Sequence, residues 1–406
     1  MNRMSEGRAG WKHSRDVYRL PAPHARPRAV YIHVPFCRHR CGYCDFTLVA
    51  GRDDLVRQYM KALSNEIAQL GEVCVVDSIF VGGGTPTHLL PKQLEQLLER
   101  IASGFRLASD GEYSFECNPD GLTDDKLSVL RNGGVNRISL GVQSFDADVL
   151  RTLERTHTPQ VAQQVVTRVH HQIPNLSVDL MFGVPGQDLE SWRKTLATAV
   201  SLPVQHVSAY GLTFEKGTAF YRRRLRNLFP PVSSETERQQ FATAMSVLSE
   251  AGLEQYEISN YARPQARCHH NGVYWSASEY FAFGPGAARY VDGVRSTNSR
   301  NVNRWIESWL QHLPLIQDCE QLSATERARE AVMLGLRRNC GIALDTFRER
   351  FGCTVSSLAP ESLACHLQNG LLELTCSVAG TAESESWLRL TDEGRFLADS
   401  VAIDFL

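Results

Sequence analysis

The sequence predicts an α/β protein, a partial (β/α)6 barrel followed by a C-terminal helical, winged-helix-like domain, and three observations carry that prediction. Short apolar strands alternate with amphipathic helices from residue 29 to about 215. Six such units are found, two fewer than a closed eight-stranded barrel needs. Beyond about residue 320 the pattern changes to successive helices and an apolar hairpin. Strands joined by helices must run parallel, because a parallel pair needs a long crossover, and the site of such a sheet sits at the carboxyl ends of its strands.

The six predicted strands are AVYIHVPF (29–36), DSIFVG (77–82), EYSFEC (112–117), RISLGV (137–142), LSVDLMF (176–182) and HVSAYGLTF (206–214). Between them, Leu55, Tyr59, Leu63, Ile67 and Leu70 recur at helical spacing, and Leu94, Leu97, Leu98 and Ile101 follow Pro91, which suits a first helical position. Thr123 with Asp124 and Asp125 starts a helix that Gly133 and Gly134 end, and Thr158-Pro159 starts the next. The C-terminal pattern gives helices near 325–338, 344–351 and 361–369, apolar LLELT and WLRL around a Ser/Gly/Glu-rich turn, and a last helix from Thr391. The expected division is a mobile basic leader (1–28), the barrel (29–215), a barrel extension (216–320) and the C-terminal domain (321–406).

Composition excludes several classes. The chain has 406 residues, 43% hydrophobic and 22% charged, so disorder and coiled coil are poor readings. No apolar run approaches the roughly 18 residues that span a bilayer, and the start MNRMSEGRAGWKHSR has no hydrophobic signal core, so a cytoplasmic protein is expected. The net charge of -2 gives no global field for nucleic acid. Residues 321–406 hold eight arginines, no lysine and twelve acidic residues, so a DNA-binding role for the winged module fails on charge. The leader is basic, with Arg3, Arg8, Lys12, Arg15, Arg19, Arg26 and Arg28 against Glu6 and Asp16.

Eleven cysteines in a long chain without a secretion signal argue against a disulfide framework. Three of them, Cys37, Cys41 and Cys44, follow the first strand in C-x3-C-x2-C spacing. Three thiolates can hold three irons of a [4Fe–4S] cube and leave the fourth open to a ligand. The alternative is structural zinc completed by His33 or His39, but no second ligand pair stands nearby. The second strand ends in VGGGTPT, where Gly83 and Gly84, beside Thr85, let backbone N–H groups approach a charged ligand. The third, fourth and fifth strands end in Glu116, Gln143 and Asp179, and Arg155 follows the fourth. Singly these are caps or rim residues; converging on one barrel mouth, they suit hydroxyl, amino and carboxylate recognition.

The cysteine triplet, with aromatic Tyr43 before its last member, resembles the signature of the radical S-adenosylmethionine (SAM) enzymes. That resemblance implies SAM on the open iron, bordered by the GGGTP stretch. Glu116, Gln143, Arg155, Asp179 and Tyr31, six residues ahead of Cys37, resemble the SAM-contacting set of the oxygen-independent coproporphyrinogen oxidase family, from about Tyr31 to the chain's end. Two features separate the branches of that family. The oxidases carry a further cysteine two residues after the triplet, where this chain has Phe46. The stretch RCHHNGVYW, with His270, Asn271, Tyr274 and Trp275, resembles a motif of the family's haem chaperones. An imidazole beside aromatics suits a macrocycle that needs an axial nitrogen and a flat apolar surface; Cys268 and His269 are alternative axial ligands, and a packed core histidine is the plainer reading. The resemblance implies a chaperone that binds haem and loads acceptor haem proteins, with an electron donor if SAM is cleaved. The alternative is an oxidase that decarboxylates propionates of coproporphyrinogen III. Whether SAM is cleaved, whether the acceptor is membrane-associated and whether the chain forms a homodimer stay open in the sequence.

Overall fold

The structure, a computed structural model, describes residues 26–376 and 386–406. Most of the basic leader (1–25) and the Ser/Gly/Glu-rich turn (377–385) lie outside the described residues. All six expected strands form, and they make the parallel centre of one nine-stranded sheet: β1 (Ala29–Val34), β2 (Cys74–Gly83), β3 (Phe105–Cys117), β4 (Arg137–Gln143), β5 (Asn175–Phe182) and β6 (His206–Gly211). Three short strands that the sequence did not announce extend it. β7 (Glu254–Glu257) and β8 (Asn260–Ala262) run antiparallel beyond β6, and β9 (Phe281–Phe283) pairs parallel with β1 at the other edge. Among the described residues the two edges do not pair with each other, so the barrel stays open.

Alternation along each strand decides which side chains reach the lumen. In β1, Val30, Ile32 and Val34 are fully buried in the core cluster shared with the helices, whereas Tyr31 and His33 take the opposite face. Register then aligns Tyr31 with Phe80 and His33 with Gly82, and aligns Gly141 with Asp179. The helices cover the outside because their apolar stripes match that core: Tyr59, Met60, Leu63 and Ile67 from α1 (Val56–Ile67), and Leu94, Leu97 and Ile101 from α2 (Pro91–Gly104). Their starts are set by local chemistry, as where Thr158 accepts from the Val161 N–H ahead of a helix opened by Pro159. Trp305, Ile306 and Trp309 of the helix Val302–Leu310 join the same core, which ties the segment after β9 to the barrel.

A separate core is built from the C-terminal part, where Val332, Leu336, Phe347, Leu372, Leu388 and Phe405 meet. Helices Ala324–Leu336, Leu344–Phe351 and Pro360–Gln368 pack with a three-stranded sheet of Ile342–Ala343, Ser386–Leu390 and Leu372–Cys376. Among the described residues no helix is long and apolar enough to cross a membrane.

Candidate functional site

The cysteine loop leaves β1 at the carboxyl end of the sheet. Phe36–Cys37 pairs with Val49–Ala50, and a turn brings the Cys44 N–H to the Cys41 carbonyl at 3.1 Å. The Arg40 guanidinium ties the loop to itself, donating to the carbonyls of Cys44, Phe46 and Leu48. Gly42 is required by contact, since a Cβ there would stand 2.3 Å from the Phe220 ring, whose backbone N–H donates to the Gly42 carbonyl at 2.8 Å. All three thiols are free. Cys37 lies 3.1 Å from the Thr85 hydroxyl, which also accepts from Asn118, and burial pushes the Cys37 thiol up to about 11 against the opposing Thr85 contact.

These residues fit an iron–sulfur cube better than zinc. A cavity of about 130 Å³ is lined by Cys41 with His39, Thr85, Asn118, Glu154 and Arg155, so one of the three thiols faces an open space. His33 has no nitrogen to give a metal. Its Nε2–H donates to the Thr47 carbonyl at 2.7 Å, which leaves Nδ1 to accept from the Tyr31 hydroxyl at 3.0 Å. Burial holds its pKa down at about 4. His39 is exposed, 3.8 Å from Glu154.

The strand ends bring most of the expected SAM residues to this mouth. Gly83, at φ +111°, donates its N–H to Glu116 at 2.9 Å, and a Cβ on it would strike His33. At Gly84 a Cβ would sit 2.8 Å from the Phe36 carbonyl, so both glycines keep the backbone close to its neighbours. Burial pushes the Glu116 carboxyl up to about 8, opposed by the Gly83 N–H and aided by the charge of Asp179. Asp179 accepts from Ser139 at 2.9 Å and is also raised by burial. Arg155 is fastened to Asn118 at 2.9 Å and to the Gly141 carbonyl at 2.7 Å, with Cys41 Sγ 3.9 Å away. The Tyr43 ring sits 6.0 Å from the Phe220 ring. Gln143 closes β4 in the left-handed region at φ +68°, beside a register shift against β5; a non-glycine residue there stores strain of about 1–3 kcal/mol. Phe46 is 60% exposed on the loop.

The HNGVYW stretch lies at the other end of the barrel. It forms the helix His269–Trp275 and docks where the parallel strands begin. Glu112 of β3 accepts from the backbone N–H groups of His269 (3.1 Å) and His270 (3.2 Å), and Cys268 Sγ is 3.3 Å from it. Arg137, the first residue of β4, lies 3.6 Å from Glu112 and donates to the Ala266 carbonyl. His270 is 1% exposed, with Nδ1 3.0 Å from the Ser78 hydroxyl and Nε2 2.9 Å from the Tyr274 hydroxyl; burial lowers its pKa to about 4. A column of rings joins this floor to the mouth: Tyr31 to Phe80 at 6.1 Å, Phe80 to His270 at 5.2 Å, and His270 to Tyr274 at 5.1 Å. Asn271 and Trp275 are half-buried, and Arg337 stacks over the Trp275 ring at 5.0 Å; His269 is exposed.

Sequence reasoning passed over His33 as more than a zinc candidate, and it missed Asn118, Glu112 and Arg137. Asn118 follows β3 by one residue and could have been found by the strand-end rule. Arg137 opens β4 and Glu112 lies within β3, so neither stands at the carboxyl end of a strand, where that rule looks.

Comparison with known proteins agrees with this geometry. The chain matches the radical SAM superfamily over residues 31–199 and the HemN C-terminal domain over residues 322–397. It is 35% identical to the heme chaperone HemW of Bacillus subtilis, over 93% of this chain and 99% of that protein. To the heme chaperone HemW of Mycobacterium tuberculosis it is 34% identical, over 94% and 95%. The mitochondrial radical S-adenosyl methionine domain-containing protein 1 of Bos taurus is 33% identical over 79% and 76%. In fold it resembles the coproporphyrinogen III oxidase HemN of Escherichia coli, with a TM-score of 0.80 and 21% identity, over 94% of this chain and 90% of that one. With a third of its residues shared along nearly the whole length of both chains, the protein belongs to the HemW family of the radical SAM superfamily.

Proposed function

We propose that the protein is a haem chaperone, which binds haem and passes it to acceptor haem proteins while carrying a [4Fe–4S] cluster and SAM. The observation that carries this reading is the near full-length match to proteins named heme chaperones, against a fold-only likeness to the oxidase. Cys37, Cys41 and Cys44 would hold the cluster, and the backbone of Gly83 and Gly84 with Thr85 would border SAM. Glu116 and Asp179 suit its hydroxyl and amino groups, Arg155 its carboxylate side, and Tyr31, Tyr43 and Gln143 complete the mouth. Bound there, the cluster and SAM would supply one-electron radical chemistry if SAM is cleaved. The chain's part is to orient the pair and keep water from it.

Haem ligation falls to the His269–Trp275 helix. His270 Nε2 would serve as ligand once the Tyr274 hydroxyl gave up its 2.9 Å contact, with the Ser78 contact orienting the ring through Nδ1. Asn271, Tyr274 and Trp275 would flank the macrocycle. In this reading residues 29–215 carry cluster and SAM, 216–320 carry the haem motif and 321–406 form a packing or partner domain in a cytoplasmic protein. Phe46 supports the chaperone over the oxidase branch, because the loop lacks the extra thiol. His270→Ala tests the assignment: haem affinity should fall or the Soret band shift, with iron and sulfide content unchanged. Wild-type haem binding by that variant would overturn His270 as ligand.

A further inference from the structure

The C-terminal domain is acidic as a whole, with eight arginines against twelve acidic residues, yet it turns arginines toward the helix His269–Trp275. Arg337 and Arg338 directly follow the helix Ala324–Leu336, and Arg350 is near the end of the helix Leu344–Phe351. The Arg337 guanidinium lies 5.0 Å over the Trp275 ring, and its backbone carbonyl accepts from the Ile258 N–H at 3.1 Å. Arg350 reaches the chain just past the motif helix, donating to the Ser276 carbonyl at 2.6 Å and to the Ala277 carbonyl. Arg337 pairs with Asp399, whereas Arg338 and Arg350 form no ion pair among the described residues and use backbone carbonyls instead. Burial, with the like charges of Arg338 and Arg327, holds Arg350 below its ordinary value against Tyr290 and Glu279. Three buried donors here have no acceptor: Arg337 Nε, Arg338 Nε and the Trp275 indole N–H. Buried donors are seldom left so, and a junction rich in idle N–H groups suits an anionic acceptor.

We propose that Arg337 and Arg350, backed by the charge of Arg338, bind the two propionates of haem, so that the C-terminal domain supplies the carboxylate-binding half of the haem site. The inference deepens the haem reading above and rests on it. His270 and its neighbouring rings suit the iron and the flat face of the macrocycle, but the motif helix HHNGVYW carries no lysine or arginine for the two carboxylates. A guanidinium fork matches a carboxylate in two parallel hydrogen bonds, which a single ammonium cannot do. Spacing agrees: His270 and Trp275 are five residues apart, about 7.5 Å along a helix axis, so cations at Trp275 stand toward the rim of a ring centred on His270. The exchange also runs in the right direction. Arg350 now donates to neutral carbonyls, and a propionate would replace them with charge-assisted bonds of about twice the strength. Arg337 would keep Asp399 on one nitrogen and offer its idle Nε–H to the ligand.

The test sets haem against its dimethyl ester, in which both propionates are capped as neutral esters. Each is titrated by absorbance against the full-length wild type and the double variant Arg337→Gln/Arg350→Gln, with circular dichroism and iron content followed as checks on folding. Wild type should bind haem about tenfold or more tightly than the ester, and the variant should lose that preference by weakening for haem while holding its ester affinity. Arg337→Lys/Arg350→Lys should recover part of the preference, because the charge is kept and the fork is lost. A wild type that binds haem and ester equally overturns the proposal, and that comparison needs no variant to fold. Equal losses for the two ligands in the glutamine variant also overturn it, since the arginines then only hold the helix in place. Unchanged haem preference in that variant does the same. A wild type that binds neither ligand refutes the haem reading itself.

Discussion

Glu112→Gln is the substitution through which the barrel floor speaks most clearly. The carboxylate is 5% exposed and gathers two backbone N–H groups of the motif helix, the Cys268 thiol and the Arg137 guanidinium, which is itself 2% exposed. Burial works to raise its pKa, but Arg137, His269 and the two N–H groups outweigh it and hold the carboxyl below its ordinary value. A depressed folded pKa means stabilisation present above the ordinary glutamate range and lost as pH falls through the folded value. Removing one partner of a buried pair costs about 3–5 kcal/mol, because the other charge is left uncompensated. Glutamine keeps a carbonyl that can still accept, so the lower end, about 3 kcal/mol, is expected. Urea denaturation at neutral pH reads that loss directly, and haem titration should show weaker binding because the helix bearing His270 loses its anchor. Glu112→Gln/Arg137→Met should recover part of the stability by discharging the second member. A loss below about 1 kcal/mol together with unchanged haem affinity would refute the anchoring role.

Two further outcomes follow from the mouth and from the outer core. Cys37→Ala should abolish iron and sulfide uptake, whereas Glu116→Gln should keep the cluster and blunt the effect of SAM on its EPR spectrum; iron content unchanged in Cys37→Ala would contradict the ligand set. Glu66 is 2% exposed, accepting from the Gly284 N–H at 2.8 Å and from Asn298 at 2.6 Å, and burial pushes its carboxyl from 4.5 to about 8. The folded state then holds a proton that the unfolded state releases, so stability is full below the unfolded value and falls as pH rises toward about 8. Thermal melts between about pH 5 and pH 8 should show that decline, and Glu66→Gln should flatten it; an unaltered slope in the variant would count against it.

How much was legible differs by element. The six central strands were readable because each contains a largely buried apolar run bounded by turn signals. Phe281–Phe283 was not, since three residues carry no period, and Ile316–Gln321 reads IQDCEQ with nearly every side chain exposed. At the site, cysteine spacing and the Gly-rich turn were legible because their chemistry is local in sequence. The pairing of Glu112 with Arg137 and residues 268–270 joins three distant segments, and nothing in any one of them announces it. The placement of the HNGVYW helix at the strand starts, with both nitrogens of His270 already engaged, was equally invisible. Motif spacing identifies residue types but not which end of a barrel they close.

The central claim is tested most directly by one paired measurement on anaerobically reconstituted wild-type protein: haem titration, and coproporphyrinogen III turnover with SAM and reductant. The account predicts stoichiometric haem binding and no protoporphyrinogen formed by a protein with its full complement of iron and sulfide. Protoporphyrinogen formation without haem binding would contradict it and place the chain on the oxidase branch.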